Sequence, residues 1–249
     1  MPGALLITGG GRGIGAATAR LAAKRGYPVC ISYLSDKASA ERVVQDIRDE
    51  GGTAIAVAGD VAVEKDVLHL FGSCDRSLGP LAALVNNAGI VTTASRVEAM
   101  SADRLQRMFS TNVVGAFLCA REAIRRMSTK SGGKGGAIVN VSSLGALTGS
   151  PNAFIDYAAS KGALDTMTIG LAAETADCGI RVNAVRPGLI DTEIHNEVGI
   201  PNRVKRFGPK MPIGRAGDAR EVAEAIVWLL SDRASYITGD FINVTGGAR

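Results

Sequence analysis

Aromatic residues are scarce in this chain, at 4% of 249 residues. An aromatic-lined recognition surface is therefore not expected. Histidine occurs only at His69 and His195, too few for a His-based metal site. The four cysteines, Cys30, Cys74, Cys119 and Cys178, are isolated, with no CxxC or other metal-ligand spacing. They read as reduced thiols, and the compartment to expect is the cytoplasm. No run of five like charges occurs and the net charge is +4, so nucleic acid is not an expected partner. Basic residues gather modestly at Arg121, Arg125, Arg126, Lys130 and Lys134, and again at Arg203, Lys205, Arg206, Lys210 and Arg215. These clusters read as solvated helix faces and loops rather than as sites for an anionic substrate. No apolar run approaches the ~20 residues of a membrane helix, so no membrane partner is expected. The opening stretch, ALLITGG, lacks the basic region of a signal peptide.

What the chain has in abundance is glycine, 31 residues, within an ordinary apolar content of 46%. Short apolar runs recur at 4–8, 29–33, 54–58, 81–86, 137–142, 180–185 and 241–244. They are nearly continuous in apolar residues, as strands buried on both faces of a parallel sheet must be. Helical patterns lie between them at 13–26, 37–50, 64–78, 101–129, 156–178 and 218–231. This alternation predicts an α/β fold, a doubly wound Rossmann-type parallel sheet of about seven strands with helices on both faces. The expected organisation is one domain over 1–249. Its segment 188–216, with Pro201, Pro209 and Pro212, is long for a connection and reads as a lid.

Two motifs carry chemistry. TGGGRGIG, residues 8–15, follows the first strand and opens the first helix. Glycines there let the backbone approach a pyrophosphate, and the helix N-terminus offers N–H groups to it. Gly9, Gly13 and Gly15 fit that part in a T-G-x-x-x-G-x-G spacing. The second motif is Tyr157 with Lys161, one helical turn apart. A free tyrosine titrates near pH ~10 and a lysine near ~10.4, so neither works at neutral pH unaided. A nearby cation favours phenolate and would lower the tyrosine pKa.

With the glycine loop, NNAG at 86–89 and Y-x-x-x-K at 157–161, the chain resembles the short-chain dehydrogenase/reductases over nearly its whole length. The nearest branch is glucose-dehydrogenase-like and 3-oxoacyl-reductase-like. GDV at 59–61, NVSS at 140–143, RPG at 186–188 and TGDFINVTGG at 238–247 also match. The resemblance implies that Tyr157 is the general acid/base and that Lys161 lowers its pKa and holds the nicotinamide ribose. It implies that Ser143 bonds the substrate carbonyl and Asn112 anchors a water in a proton relay. Family members place the serine 13 residues before the tyrosine. Here Ser143 stands at 14 and Ser142 at 15, so Ser142 remains the rival. The cofactor contacts implied are Gly9, Arg12, Ile14 and Gly15 on the phosphates, and Asp60 and Val61 near adenine. Asn87, Ala88 and Gly89 fall at the adenosine ribose, and Pro187, Gly188, Ile190 and Thr192 flank the nicotinamide. A homotetramer is implied, built on helices 101–129 and 156–178 and on the C-terminal strand.

An NAD-specific member ends its second strand in an acid, but here Tyr33 holds that place. Asp36 reads instead as the N-cap of the next helix. Arg12 is placed to meet a 2′-phosphate, with Ser32 or Ser35 adding neutral hydrogen bonds. NADP(H) is the expected cofactor, with NAD(H) the alternative. The small-molecule substrate is a sugar, a small ketone or aldehyde, or a 3-oxoacyl thioester. Cys178 stands where acyl-carrier reductases carry a basic residue, which weakens the last of these. Val91, Leu147, Phe154, Leu189, His195, Phe207 and Met211 are the expected substrate-side residues. The reading from another class is a dinucleotide-binding regulator without catalysis.

Overall fold

Each of the seven apolar runs forms a strand in the computed structural model, which describes residues 2–196 and 198–249. They are β1 (Ala4–Ile7), β2 (Val29–Tyr33), β3 (Ala54–Ala58), β4 (Leu81–Asn86), β5 (Gly136–Val141), β6 (Ile180–Pro187) and, last in the chain, β9 (Phe241–Val244). Together they make one parallel sheet in the order β3-β2-β1-β4-β5-β6-β9. The period-2 alternation splits each strand between two cores. Leu5, Ile7, Val29 and Ile31 face one, while Ala4, Leu6, Cys30 and Leu84 face the other.

Helices cover both faces. The first core is closed by α1 (Gly13–Lys24), α2 (Lys37–Asp49) and α9 (Ala219–Leu230). The second is closed by α3 (Glu64–Leu78), α5 (Gly115–Met127) and α7 (Ile155–Thr175). Small residues on α1, namely Ala16, Ala19 and Ala22, let it lie close to the sheet. Asp36 does cap α2, accepting a 2.9 Å bond from Ser39 N, and Asp218 with Glu221 forms a capping box on α9. By contrast, no side chain caps α1 and no acid sits in its first turn.

The continuous helix expected over 101–129 is interrupted. It divides into α4 (Ala102–Phe109) and α5, joined by a π turn over Ser110–Val114. The turn holds Asn112 fully buried, on the same face as Met108 and Ala116. A four-residue helix, α6 (Gly145–Thr148), follows β5. The 188–216 segment leaves the sheet through β7 (Ile190–Asp191) and holds α8 (Arg203–Phe207). It returns through β8 (Gly217–Asp218), which pairs with β7 and ties its two ends together.

The chain order reverses between β1 and β4, which lie side by side. Their carboxyl ends therefore border a crevice that no crossover fills, the usual ligand position of such a sheet.

Candidate active site

The crevice is built around Thr8, the first residue of the TGGGRGIG motif. Its hydroxyl accepts from Asn87 N at 3.0 Å and Ala88 N at 2.9 Å. Asn87 returns the contact, its Nδ2 donating to Thr8 O and Gly9 O at 2.9 Å each. The end of β4 is thereby bound to the glycine loop. A Cβ on Gly15 would stand 2.5 Å from Gly9 O and 2.6 Å from Asn87 Nδ2, so only glycine allows this approach. Gly9, at φ +65, takes the left-handed turn that starts the loop. Ser32 is buried and its hydroxyl accepts from Gly9 N at 3.0 Å, holding the loop from the β2 side.

A cleft of about 450 Å³ opens above these contacts. Lining it are Gly9, Arg12, Ile14, Asp60, Val61, Asn87, Ala88, Gly89, Tyr157, Lys161, Pro187, Gly188, Ile190 and Thr192. Gly15 and Asn112 stand behind its wall. The uncapped end of α1 and the glycine-lined floor suit a pyrophosphate. The residues present therefore fit a dinucleotide.

At the far end of the cleft, α7 presents Tyr157 and Lys161. Lys161 is 3% exposed, and its Nζ donates to Val141 O at 2.8 Å and lies 5.6 Å from the centre of the Tyr157 ring. Gly89 leaves the space beside it. A Cβ there would come within 3.3 Å of Lys161 Nζ and 3.4 Å of Asn112 Oδ1. Asn112 is locked in place. Its Oδ1 accepts from Ile90 N at 2.8 Å, and its Nδ2 donates to Ile90 O and to Ser160 Oγ, both at 3.0 Å. The two serines divide cleanly. Ser142 Oγ turns inward to donate to Lys161 O at 3.2 Å, whereas Ser143 hydrogen-bonds the Tyr157 phenol and accepts from Gly145 N at 3.0 Å.

The electrostatics differ from what the Tyr–Lys spacing alone predicts. Burial holds the Tyr157 phenol above its ordinary pKa, opposed by the Ser143 hydrogen bond and by the charge of Arg203. Burial also lowers Lys161 to about 8, with Asp165 working against it. The ammonium points at the Val141 carbonyl and over the ring face rather than at the phenol oxygen, and it is itself destabilised by burial. Proximity alone therefore does not make a phenolate here. Asp165 is in turn held by Arg186, whose Nε donates to it at 2.9 Å and whose guanidinium stacks 3.8 Å over Phe241.

On the substrate side, Val91, Phe154 and Val198 form a small buried cluster against which Tyr157, Ile194 and Ile200 pack. Leu147 is exposed, and Phe207 is half-buried under the cations of Arg206 and Lys210. The side chain of His195 lies outside the described residues.

A family model described as enoyl-(acyl carrier protein) reductase matches residues 9–249. An Escherichia coli protein named uncharacterized oxidoreductase YgfF is 54% identical over 97% of this chain and 98% of its own length. A 3β-hydroxysteroid dehydrogenase of Eggerthella lenta is 38% identical over 98% of this chain and 92% of its own. The crystal structure of a Brucella melitensis 3-ketoacyl-(acyl-carrier-protein) reductase complexed with NADH superposes with a TM-score of 0.91 at 36% identity. That match covers 98% of this chain and 97% of the other. A short-chain dehydrogenase/reductase from Serratia marcescens matches at 0.89 and 32% identity, over 98% and 97% of the two chains.

This chain belongs to the short-chain dehydrogenase/reductase family. As a short-chain dehydrogenase/reductase it is an NAD(P)-dependent oxidoreductase acting on a small molecule. The part that several supports of its site play escapes a reading of the motifs alone. Asn86 donates to Asn140 at 3.0 Å and Asn140 to Thr168 at 2.8 Å, a buried polar chain from β4 through β5 to α7. The signal for it is a polar residue within each of two otherwise apolar strands. Arg203 also escapes, because a charge in a proline-bearing segment reads as surface. No helix among the described residues is long and apolar enough to cross a membrane.

Proposed function

We propose that this chain transfers a hydride between NADP(H) and a carbonyl or secondary alcohol, with Tyr157 as general acid/base. The observation that carries the reading is the convergence of Tyr157, Ser143 and Lys161 at the end of a cleft that fits a dinucleotide. Gly9, Arg12 and Ile14 hold the phosphates, with Gly15 making the close approach possible. Asp60 and Val61 meet the adenine, and Asn87, Ala88 and Gly89 the adenosine ribose. Pro187, Gly188, Ile190 and Thr192 flank the nicotinamide. When bound, that ring gives or takes the hydride.

The protein's part is position and proton. Ser143 donates a hydrogen bond to the substrate oxygen, and Tyr157 passes its proton to the same oxygen during reduction. Lys161, charged below pH 8, holds the ribose and steadies the phenol as its proton leaves. Asn112, fixed on Ile90 and Ser160, anchors the water behind Lys161 that returns the proton. Because burial keeps the phenol protonated, the form present at neutral pH is the acid, which suits carbonyl reduction.

NADP(H) is favoured at the 2′ end. The carboxylate nearest the end of β2, Asp36, is engaged as a helix cap, and Arg12 lines the cleft beside it. Arg42, which donates to Ser39 Oγ at 2.7 Å, adds a second cation nearby. The substrate is a sugar, a small ketone or aldehyde, or a 3-oxoacyl thioester. The relatives range from an acyl-carrier-protein reductase to a steroid dehydrogenase and a glucose dehydrogenase, so the class is decided by this chain's own pocket. The segment 188–216 is the lid of a single domain, and the assembly is a homotetramer in the cytoplasm. Nothing favours the non-catalytic reading.

Tyr157→Phe tests the assignment. Turnover in a coupled screen of aldehydes, ketones, sugars and thioesters falls by roughly 10²–10⁴-fold, while cofactor affinity stays near the original. A Phe variant that keeps a large share of activity sinks the assignment.

A further inference from the structure

Lys161 is 3% exposed, and among the described residues its ammonium has one hydrogen-bond acceptor, the carbonyl of Val141 at 2.8 Å. A buried cation is costly unless it is paired or fully hydrogen-bonded. One helical turn on, on the same face of α7, stands the carboxylate of Asp165. Its Oδ2 lies 2.9 Å from both Nε and Nη2 of Arg186. Its Oδ1 is buried and has no hydrogen-bond partner among the described residues. Arg186 is held from behind, because its guanidinium stacks 3.8 Å over the Phe241 ring of β9. It also immediately precedes Pro187 and Gly188 on the wall of the cleft.

Other groups around Lys161 supply no counter-charge. Val141 and Ser142 at the end of β5, Asn112 on the π turn and Gly89 after β4 are neutral. Neither α6 nor the π turn contains a titratable side chain. On α4, Asp103 and Arg107 are exposed, and Arg104 is paired with Asp156 at the start of α7. Tyr157 is kept protonated by burial, and Arg203 of α8 acts on Tyr157. On β6, Arg181 donates to Leu229 O at the end of α9. Glu174, Asp177 and Cys178 stand at the C-terminal end of α7. The side chains of His195 and Glu197 lie outside the described residues.

We infer that Asp165 is a positioning residue for the reaction: its carboxylate is the counter-charge that holds the Lys161 ammonium in its buried place, and Arg186 sets how much of that charge the lysine receives. This rests on the reading above in which Lys161 holds the nicotinamide ribose, and it names the group behind the lysine. Asp165 does not line the cleft, so its effect reaches the cofactor through Lys161.

The two members of the pair act on Lys161 with opposite signs. Burial lowers the lysine to about 8 while Asp165 works against it. Without the carboxylate, burial acts unopposed and the remaining Arg186 charge repels, so the ammonium is lost at lower pH. Without Arg186, the whole carboxylate is left to Lys161, and the ammonium persists to higher pH. An ion pair that only ties α7 to β6 would weaken the protein in both variants and leave the titration of Lys161 where it is.

The experiment measures NADPH and NADH affinity by cofactor fluorescence between pH 6.5 and 10, since the nicotinamide ribose is common to both. Ionisation of the 2′-phosphate, a monoester with its second step near pH ~6, is the same for every variant. Tyr157 stays protonated beyond its ordinary 10.0, so the fall in affinity above pH 8 belongs to Lys161, and Lys161→Met abolishes it. Asp165→Asn moves the fall down by about one pH unit, the low end of what a nearby opposite charge supplies, and binds up to about tenfold more weakly than wild type at pH 8.5. Asp165→Glu keeps the wild-type profile, and Arg186→Gln moves the fall upward. Toward pH 6.5, where Lys161 is charged in all of them, the affinities draw together. If Asp165→Asn does not fold, the double variant Asp165→Asn, Arg186→Gln removes both charges at once, and its fall lies below that of Arg186→Gln alone. Falls that coincide with wild type, or that move the same way in Asp165→Asn and Arg186→Gln, overturn the proposal and leave the pair a structural tie. A wild type that binds cofactor with a flat profile removes Lys161 from the ribose, and the reading of the site fails together with the proposal.

Discussion

Lys161 carries a measurable consequence of its burial. Its native form loses a proton near pH 8, while its ordinary value is 10.5. Between those values the unfolded chain binds more protons than the folded one, so this group's contribution to stability rises with pH. Denaturant unfolding of wild type against Lys161→Met should show the difference moving in favour of wild type by about 2 kcal/mol between pH 8 and 10. A flat difference shows that the ammonium is solvated after all. The same titration removes the charge proposed to hold the cofactor ribose, so cofactor affinity falls over the range in which the protein gains stability. Arg12 gives the other test at this scale. Arg12→Ala lowers NADP(H) affinity by roughly ten- to a hundredfold, the worth of one hydrogen-bonded charge pair, with NAD(H) little changed. Tighter NAD(H) binding by wild type would mean that Asp36 governs the 2′ end. Both residues were legible as motif positions. The direction of the tyrosine shift was not, because it depends on how deeply the phenol lies and where the ammonium points, and neither follows from a four-residue spacing.

Between elements, α7 is tied to α4 by a nearly buried ion pair. Arg104 Nε donates to Asp156 Oδ2 at 2.7 Å, with side-chain exposures of 15% and 0%, and its second arm reaches Thr93 O at 2.8 Å. Asp156 immediately precedes Tyr157, so the pair fixes the start of α7. Removing the arginine leaves a carboxylate without water or partner. Arg104→Met should therefore destabilise by about 3–5 kcal/mol in denaturant unfolding. Asp156→Asn should cost less, because the arginine left behind can still reach solvent. Equal losses in the two variants would mean that packing, not charge, holds the helices together. Nothing in the chain pairs residue 104 with 156 before folding brings the two helices together. The π turn is hidden for a similar reason. STNVV has no breaker residue, and its extra residue is set by the bonds of Asn112 to Ile90 and Ser160. The strands, in contrast, were plain because burial on both faces writes itself as unbroken apolar runs.

At the scale of the molecule, the outer surface of α4, α5 and α7 is unusually apolar. Phe117 is 49% exposed and Ile169 57%, with Leu105, Phe109 and Ile155 also exposed on the same elements and Val114 on the π turn between α4 and α5. Large exposed apolar residues on adjacent helices mark an association surface. The sheet also ends in β9, which among the described residues pairs only with β6 and leaves its other edge open. Two separate surfaces on one chain, each meeting its own copy across a two-fold axis, generate a closed tetramer of D2 symmetry. The helical surface is the more apolar, so charge placed there should break one axis and spare the other. Wild type should sediment at about four times the 25.7 kDa of one chain. The double variant Phe117→Glu, Ile169→Glu should fall to a dimer, held by the β9 edge, with the far-ultraviolet circular dichroism of wild type. A wild-type monomer at micromolar concentration refutes the assembly. A double variant that remains tetrameric shows that the apolar face of α4, α5 and α7 is not a subunit contact.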